Sequence, residues 1–306
     1  MKYLLLLLIA ISSVFSKGDS ISDAKENYLA KEWHWEAIRI FELAYAPEKS
    51  SEFSDLDGYS NIDIANFYLL MPVVRKRIIW ELGAWYRAVD ADIANYVTND
   101  RLDNTTHTVR ALTAMVIPIK SGHYIYGEYH LGIDGNWNNL SYDAINHQFV
   151  LFWGLKLKRD RMFRAGLVYT RLFGKDMVLP VLGAAFRVGK RSAFDLIFPT
   201  HFLYRVRVAP KVETGVKIAI HSGDFGVDDV VAHPVELSYT QVSSTLYGDF
   251  TLVDNPKSKF LLKARIAGGF YFARTVTLNQ ISDGSEIMRA SPKPSPMGVI
   301  SLRWAI

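Results

Sequence analysis

From Lys211 to His221 the chain alternates without a break. Val212, Thr214, Val216, Ile218 and Ile220 fall on one parity; Lys211, Glu213, Gly215, Lys217, Ala219 and His221 fall on the other. Successive side chains of a β-strand project to opposite faces, so this segment is a strand with one apolar and one charged face. The pattern recurs. Ile78, Trp80, Leu82, Ala84 and Tyr86 oppose Arg77, Glu81, Gly83 and Arg87. Phe149, Leu151, Trp153, Leu155 and Leu157 oppose Gly154, Lys156 and Lys158, and Phe260 to Phe272 repeats the arrangement against Lys263, Arg265 and Gly269. Strands of this kind build either half of a soluble sheet or a closed barrel with lipid outside and a polar lumen inside.

The first residues favour the barrel. Lys2 supplies a positive start, Leu4 to Ile11 an apolar run, and Ser12 to Ser16 small residues, with Val14 and Ser16 placed for cleavage before Lys17. The run is too short for a membrane-spanning helix, so 1–16 is expected to be a removed export signal. The chain has no cysteine, which excludes disulfides and thiolate metal sites. Removing the signal takes one lysine away, and the net charge falls from +4 to +3, far from the basic stripe of a nucleic-acid binder. Aromatic residues make up 13% of the chain, with 16 Tyr and 7 Trp, which suits the aromatic girdles of a barrel at the bilayer interfaces.

Beyond the signal no apolar run is long enough for a transmembrane helix, so any membrane span is β. Residues 17–34 are polar and read as a lead-in; 35–306 read as one barrel domain. Strands are expected at 35–45, 61–71, 77–89, 107–117, 124–133, 146–157, 163–172, 180–188, 193–204, 211–221, 235–251, 259–273 and 297–306. The connections Pro72–Lys76, Pro118–His123, Lys158–Arg161, Gly189–Ser192 and Asp254–Lys259 are compact, and 46–60, 90–106, 134–145, 222–234 and 274–296 are long and polar. Thirteen segments conflict with the even strand number of single-chain bacterial barrels, and the 222–234 loop falls on the wrong side. The expectation is an all-β, antiparallel, up-and-down transmembrane barrel of about twelve strands, with ten to fourteen allowed.

The chain ends on an amphipathic strand in which Ile300, Leu302, Trp304 and Ile306 alternate with Ser301, Arg303 and Ala305. This resembles the assembly signal of outer-membrane barrels, with Ile306 where an aromatic residue is usual. Further punctuation lies upstream: Gly166-Leu167-Val168-Tyr169, then Phe173-Gly174, Leu179-Pro180-Val181-Leu182-Gly183, Phe198-Pro199 and Tyr204. Leu70-Met71-Pro72 leading to Leu82-Gly83-Ala84-Trp85-Tyr86 fits the same scheme. Together these resemble an uncharacterised family of bacterial outer-membrane, porin-like β-barrels. The resemblance spans roughly 35–306 and implies a cell outer membrane location, with lipid and the barrel-assembly machinery as partners. It implies no activity.

Few residues suggest catalysis. In His221-Ser222-Gly223-Asp224 the neighbouring serine and histidine point to opposite faces, a poor geometry for a proton relay, and turn chemistry is the expected role. Glu128 and His130 share one face with Tyr124 and Tyr126 and are read as lumen-lining. Asp224, Asp228 and Asp229 lack the spacing of a Ca²⁺ loop, and no H-E-x-x-H pattern occurs. No catalytic residue, metal site or cofactor is therefore expected. The expected lumen lining is Arg77, Glu81, Arg87, Glu128, His130, Lys156, Arg164, Lys211, Glu213, Lys217, Lys263, Arg265 and Arg303, with Asp195 among its acids. Such a basic-leaning set either carries a transverse field across a pore, favouring anions, or pairs into a polar core that plugs a narrow barrel. Passive solute passage is the leading expectation. A plugged barrel that binds ligands through its loops is the alternative, a barrel-wall hydrolase has less support, and an exported soluble sandwich is the non-membrane reading.

Overall fold

The structure, a computed structural model, describes residues 39–305 except 76–77, 96–99, 121, 136–144, 159–160, 173–174, 190, 228–234, 256–259 and 281–284. The export signal and polar lead-in expected at 1–34 lie outside the described residues. Among those described there is no helix, and every regular element is a strand.

The strands are β1 (Arg39–Ala46), β2 (Ser51–Glu52), β3 (Gly58–Arg75), β4 (Ile78–Asn95), β5 (Asp100–Lys120), β6 (His123–Gly135), β7 (Ile145–Lys158) and β8 (Arg161–Leu172). They continue as β9 (Lys175–Val188), β10 (Ser192–Phe198), β11 (His201–Ala209), β12 (Val212–Val227), β13 (Val235–Asn255), β14 (Phe260–Gln280), β15 (Glu286–Ala290) and β16 (Ser295–Ala305). Each pairs antiparallel with its neighbours, and β1 joins both β3 and β16, which closes the sheet. Two staves are interrupted. β1 runs on through Pro47–Ser50 into β2, still bonded to β3 on one side and to the 291–297 segment on the other. β15 and β16 likewise form one stave broken at 291–294. The barrel therefore has fourteen staves.

That count resolves the parity conflict. The segment expected as one strand at 193–204 is two short ones, β10 and β11, joined by a hairpin at Pro199-Thr200. The extra stave returns the 222–234 connection to the far end, away from the first and last strands. Compact turns sit at the terminal end, while several expected far-end loops are strand. Residues 90–95, 100–106, 222–227 and 274–280 continue the ladder. Pro72 lies inside β3 opposite Glu81, not in the turn.

Alternation places the core. Along β4, Ile78, Trp80, Leu82, Ala84 and Tyr86 face outward before Asp90 and Asp92; Ile79, Arg87, Val89, Ala91 and Ile93 face inward and are buried. Ten residues of rise at roughly 40° tilt give a band about 25 Å tall, the height of bilayer hydrocarbon in such barrels. Above the band, Asp63 stands directly opposite Asp90, and Asp92 opposite Asp103. Four outward carboxylates at that level mark the end of the apolar wall on β3–β5.

Above the band the barrel narrows. The far end of β12 reaches across to β6 and makes a parallel bridge, Gly226 to Gly135. Two glycines meeting there let the backbones approach closely. The tall staves β12–β16 and β1–β6 thereby enclose a smaller ring, while β7–β11 stop lower. Inside the ring Phe53, Ile62, Ile64, Val89, Ile93, Leu102, Leu237, Tyr239, Val276 and Leu278 pack into one buried apolar cluster. This is a cap with an apolar core. A second apolar cluster of Ile79, Val116, Tyr124, Met162 and Ala185, backed by Tyr126 and Phe152, lines the terminal end of β4–β9. The polar lumen expected along the whole barrel is thus confined by apolar packing at both levels, because inward positions near the ends of the staves carry branched and aromatic residues.

Candidate functional site

The lumen below the cap has two unlike sides. On the side of β11–β14, β16 and β1, strand register aligns charges around the wall. Glu42 lies opposite Arg303, Arg303 opposite Lys263, Arg265 opposite Asp249, and Asp249 opposite Glu213. Asp249 accepts two hydrogen bonds from Arg265, at 2.7 and 2.8 Å, and one from Arg303 at 3.0 Å. Arg303 also reaches Glu42 at 3.6 Å, and Arg205 reaches Glu213 at 3.7 Å. The Tyr247 ring lies 4.0 Å below the Arg265 guanidinium and over Gly215, where an added Cβ would fall 2.7 Å from the tyrosine oxygen.

The other side, β4–β9, is aromatic and aliphatic with isolated polar groups. Tyr126 stacks on Phe152 at 4.6 Å and donates to Glu128 at 2.5 Å, and Glu128 also bonds His130. Arg164 approaches Asp195 at 3.6 Å. Higher up, Arg110 pairs with Asp134 at 2.9 Å and lies over Trp85, as does Arg87, which bonds the Tyr239 hydroxyl across the lumen.

The structure thus gathers Arg265, Arg303, Lys263 and Glu213 into one belt, brings Glu128 to His130, and sets Arg164 beside Asp195. Glu81, Lys156 and Lys217 occupy inward positions of β4, β7 and β12. Lys211 is corrected: it sits in the turn before β12, exposed, and its carbonyl accepts from the Thr251 amide. Arg77 lies outside the described residues. His221 to Asp224, expected as a turn, are strand paired with β13, and the His221 ring meets the Ser243 hydroxyl at 2.8 Å. Asp228 and Asp229 lie outside the described residues.

Sequence reasoning missed Asp249, Arg205, Glu42 and Arg110, whose roles depend on register. It missed Asp134, Glu48 and Arg274 for another reason: all three fall in segments expected as loops. Glu48 follows Pro47 in the break of the first stave, and its amide donates to the outward Asp63 at 2.8 Å, which sets it above the apolar band. Its carboxylate faces inward, 2.5 Å from Arg274 and 2.9 Å from the Ser295 hydroxyl. Burial pushes this carboxyl up to about 7, against the opposing pull of Arg274 and Ser295.

The wall itself has a gap. β9 pairs with β10 only up to Leu182–Phe198, leaving Lys175–Val181 unbonded on that side. β12 pairs with β11 only up to Ala219–His201, with one further bond from the Ile220 amide to the Thr200 carbonyl. Between these two open edges, above the Phe198–Thr200 tip and beneath the Gly226–Gly135 bridge, no described strand fills the sheet.

Neither the family models nor the curated proteins contain a match to this chain. Among solved structures it is similar to an outer-membrane channel from Pseudomonas putida F1, with 8% identity, a TM-score of 0.48, and coverage of 90% of this chain and 99% of that one. It is also similar to the Pseudomonas putida toluene transporter TodX, with 10% identity, a TM-score of 0.32, and coverage of 86% and 88%. A BenF-like porin from Pseudomonas fluorescens Pf-5 matches at 8% identity and a TM-score of 0.20, covering 89% and 99%. These likenesses are distant in sequence and in shape.

Proposed function

We propose that this chain is an outer-membrane barrel that passes small solutes passively, and that its outer opening is the gap in the wall beside the cap. The gap between Lys175–Val181 and Ile220–Val227 carries this reading. A straight axial route requires the cap to part. Its core buries about ten large apolar side chains, each worth roughly 1.5–3 kcal/mol, so parting even half of them costs on the order of 10 kcal/mol. At about 1.4 kcal/mol per tenfold, the parted state is populated at roughly one in ten million. The side route runs between two edges that are not paired with each other among the described residues, and it does not require that core to part.

Planar bilayers test both parts. Purified protein is expected to give discrete conductance steps, and absence of steps sinks the channel. The Thr200→Cys variant, unique in a cysteine-free chain, places a thiol on the exposed hairpin tip at the lower edge of the gap. A bulky thiol reagent is expected to shrink the steps; steps of unchanged size would remove the side opening and keep the channel.

The second reading, a filled barrel that binds ligands through its loops, is favoured by the two apolar clusters and the paired charge belt. No conductance, together with ligand capture by intact cells, would select it.

A further inference from the structure

Between the cap and the charge belt the lumen has a neck, and its charges do not balance. Trp85, Arg87 and Val89 are successive inward positions of β4, so Arg87 stands one step below the cap core. Its guanidinium lies 5.7 Å from the Trp85 ring and 5.5 Å from the Tyr239 ring, and it donates to the Tyr239 hydroxyl of the facing wall. Arg110 of β5 sits 4.9 Å over the same Trp85 ring. Two like charges thus share one indole and repel each other. The carboxylate in reach of both, Asp134, is already held by Arg110 at 2.9 Å and by the Asn146 amide at 2.8 Å.

Across the lumen, the charges acting on His221 of β12 are Lys217 and Arg87, both positive. Gln241 of β13 stands directly opposite His221. It is 1% exposed, and its Nε2 has no hydrogen-bond partner among the described residues. A buried N–H without an acceptor is a standing cost to the fold, and here it coincides with three cations facing one carboxylate. The Glu48–Arg274 pair, on the other side of Tyr271, adds no net charge. The place of this neck matters too. β12 parts from β11 at His221, since the last contacts there are Ala219–His201 and the Ile220 amide to the Thr200 carbonyl. The neck therefore lies at the inner mouth of the gap in the wall.

We propose that the neck is a subsite for a small anion, of the size of a halide or acetate, held by the Arg87 guanidinium and the Gln241 amide at the inner mouth of the side opening. The inference rests on that opening for the solute's route and names the class of solute that it favours. A negative charge there offsets the mutual repulsion of Arg87, Arg110 and Lys217 and gives the Gln241 N–H its acceptor. Apolar packing above and below lowers the local dielectric, which strengthens the attraction. A cation meets the opposite field.

Trp85 reports on the site. Its fluorescence in full-length protein in vesicles is read as the difference from a Trp85→Phe background, with iodide, caesium and neutral acrylamide as quenchers at low ionic strength. Iodide is expected to quench Trp85 about tenfold more strongly than caesium, with acrylamide between them. Acetate is expected to relieve the iodide quenching and neutral acetamide is not; equal effects of the two overturn the subsite. Arg87→Met should lower iodide quenching about tenfold. Gln241→Leu removes the unsatisfied N–H, so the heat-dependent gel shift should stay unchanged or rise in temperature while iodide quenching falls about fivefold. If Arg87→Met does not fold, Gln241→Leu decides alone. Iodide no stronger than caesium, iodide quenching untouched in Gln241→Leu, or no quenching by any of the three overturns the subsite. Absence of bilayer steps sinks the channel and leaves the quenching result intact, whereas normal steps without iodide preference sink the subsite and leave the channel.

Discussion

Leu237 distinguishes a dry cap from a water-filled pore. It projects inward from β13, is 0% exposed, and packs among Ile62, Val89 and Leu278. If the cap is a core, Leu237→Ala removes packed methyl and methylene groups and leaves a cavity, at about 2–5 kcal/mol. Leu237→Asn loses the same apolar burial and also strands an amide without partners, adding roughly 1–3 kcal/mol. The asparagine variant must therefore be the less stable of the two. If water fills the far end instead, the amide is solvated and the order inverts. Hydrogen exchange of the Ile62 and Val89 amides reads the cap itself, and guanidinium unfolding in vesicles followed by tryptophan fluorescence reads the whole barrel. Comparing the two variants with each other removes the uncertainty of the absolute scale. An asparagine variant as stable as the alanine variant would refute the dry cap, and with it the case against an axial route.

Three further outcomes follow from the lumen and the buried Glu48 carboxyl. Asp249→Asn leaves Arg265 and Arg303 without their shared carboxylate and should cost about 3–5 kcal/mol, read as a lower temperature for the heat-dependent gel shift, with partial rescue by Arg265→Met. Gly154→Ala places a Cβ 2.0 Å from the Tyr124 ring, so Tyr124 must leave Met162; a loss of about 1–3 kcal/mol and an altered near-ultraviolet circular dichroism spectrum are expected. Glu48 binds its proton more tightly folded than unfolded, so its contribution is full below the unfolded value of about 4.5 and is lost as pH rises to about 7. Relative to Glu48→Gln, the unsubstituted chain should lose at most about 3 kcal/mol across that window in pH-dependent unfolding.

Much of the barrel was legible because a strand with one apolar and one polar face must alternate. Trp80, Leu82 and Tyr86 announce the outer face of β4 without any partner in view, and Phe149, Leu151 and Trp153 do the same for β7. The misread element was 193–204. Alternation carries through Phe194, Leu196 and Phe198 and resumes at Phe202 and Tyr204, and parity alone cannot reveal that the chain reverses at Pro199-Thr200 between them. The staves beyond the apolar band were missed for a related reason. Asp90, Asp92 and Asp103 are polar outside while Val89, Ala91 and Leu102 are buried inside, so the sense of apolar-out inverts and the segments look like loops. The lumen was legible only as a row of charges. Arg265 and Arg303 stand out in sequence, but that Asp249 answers both is a matter of register between three staves.

Local sequence therefore determined what one strand can report by itself: its period, its two faces and the height of the apolar outer band. These follow from the geometry of a single extended chain, which places each side chain relative to its own backbone. Tertiary structure decided everything that requires two strands to meet. The fourteenth stave, the Gly226–Gly135 closure, the apolar cap, the gap beside it and the Glu48–Arg274–Ser295 cluster all join residues far apart in the chain. Their proximity is set by register, bulges and closure of the sheet, and no periodicity within one segment encodes those.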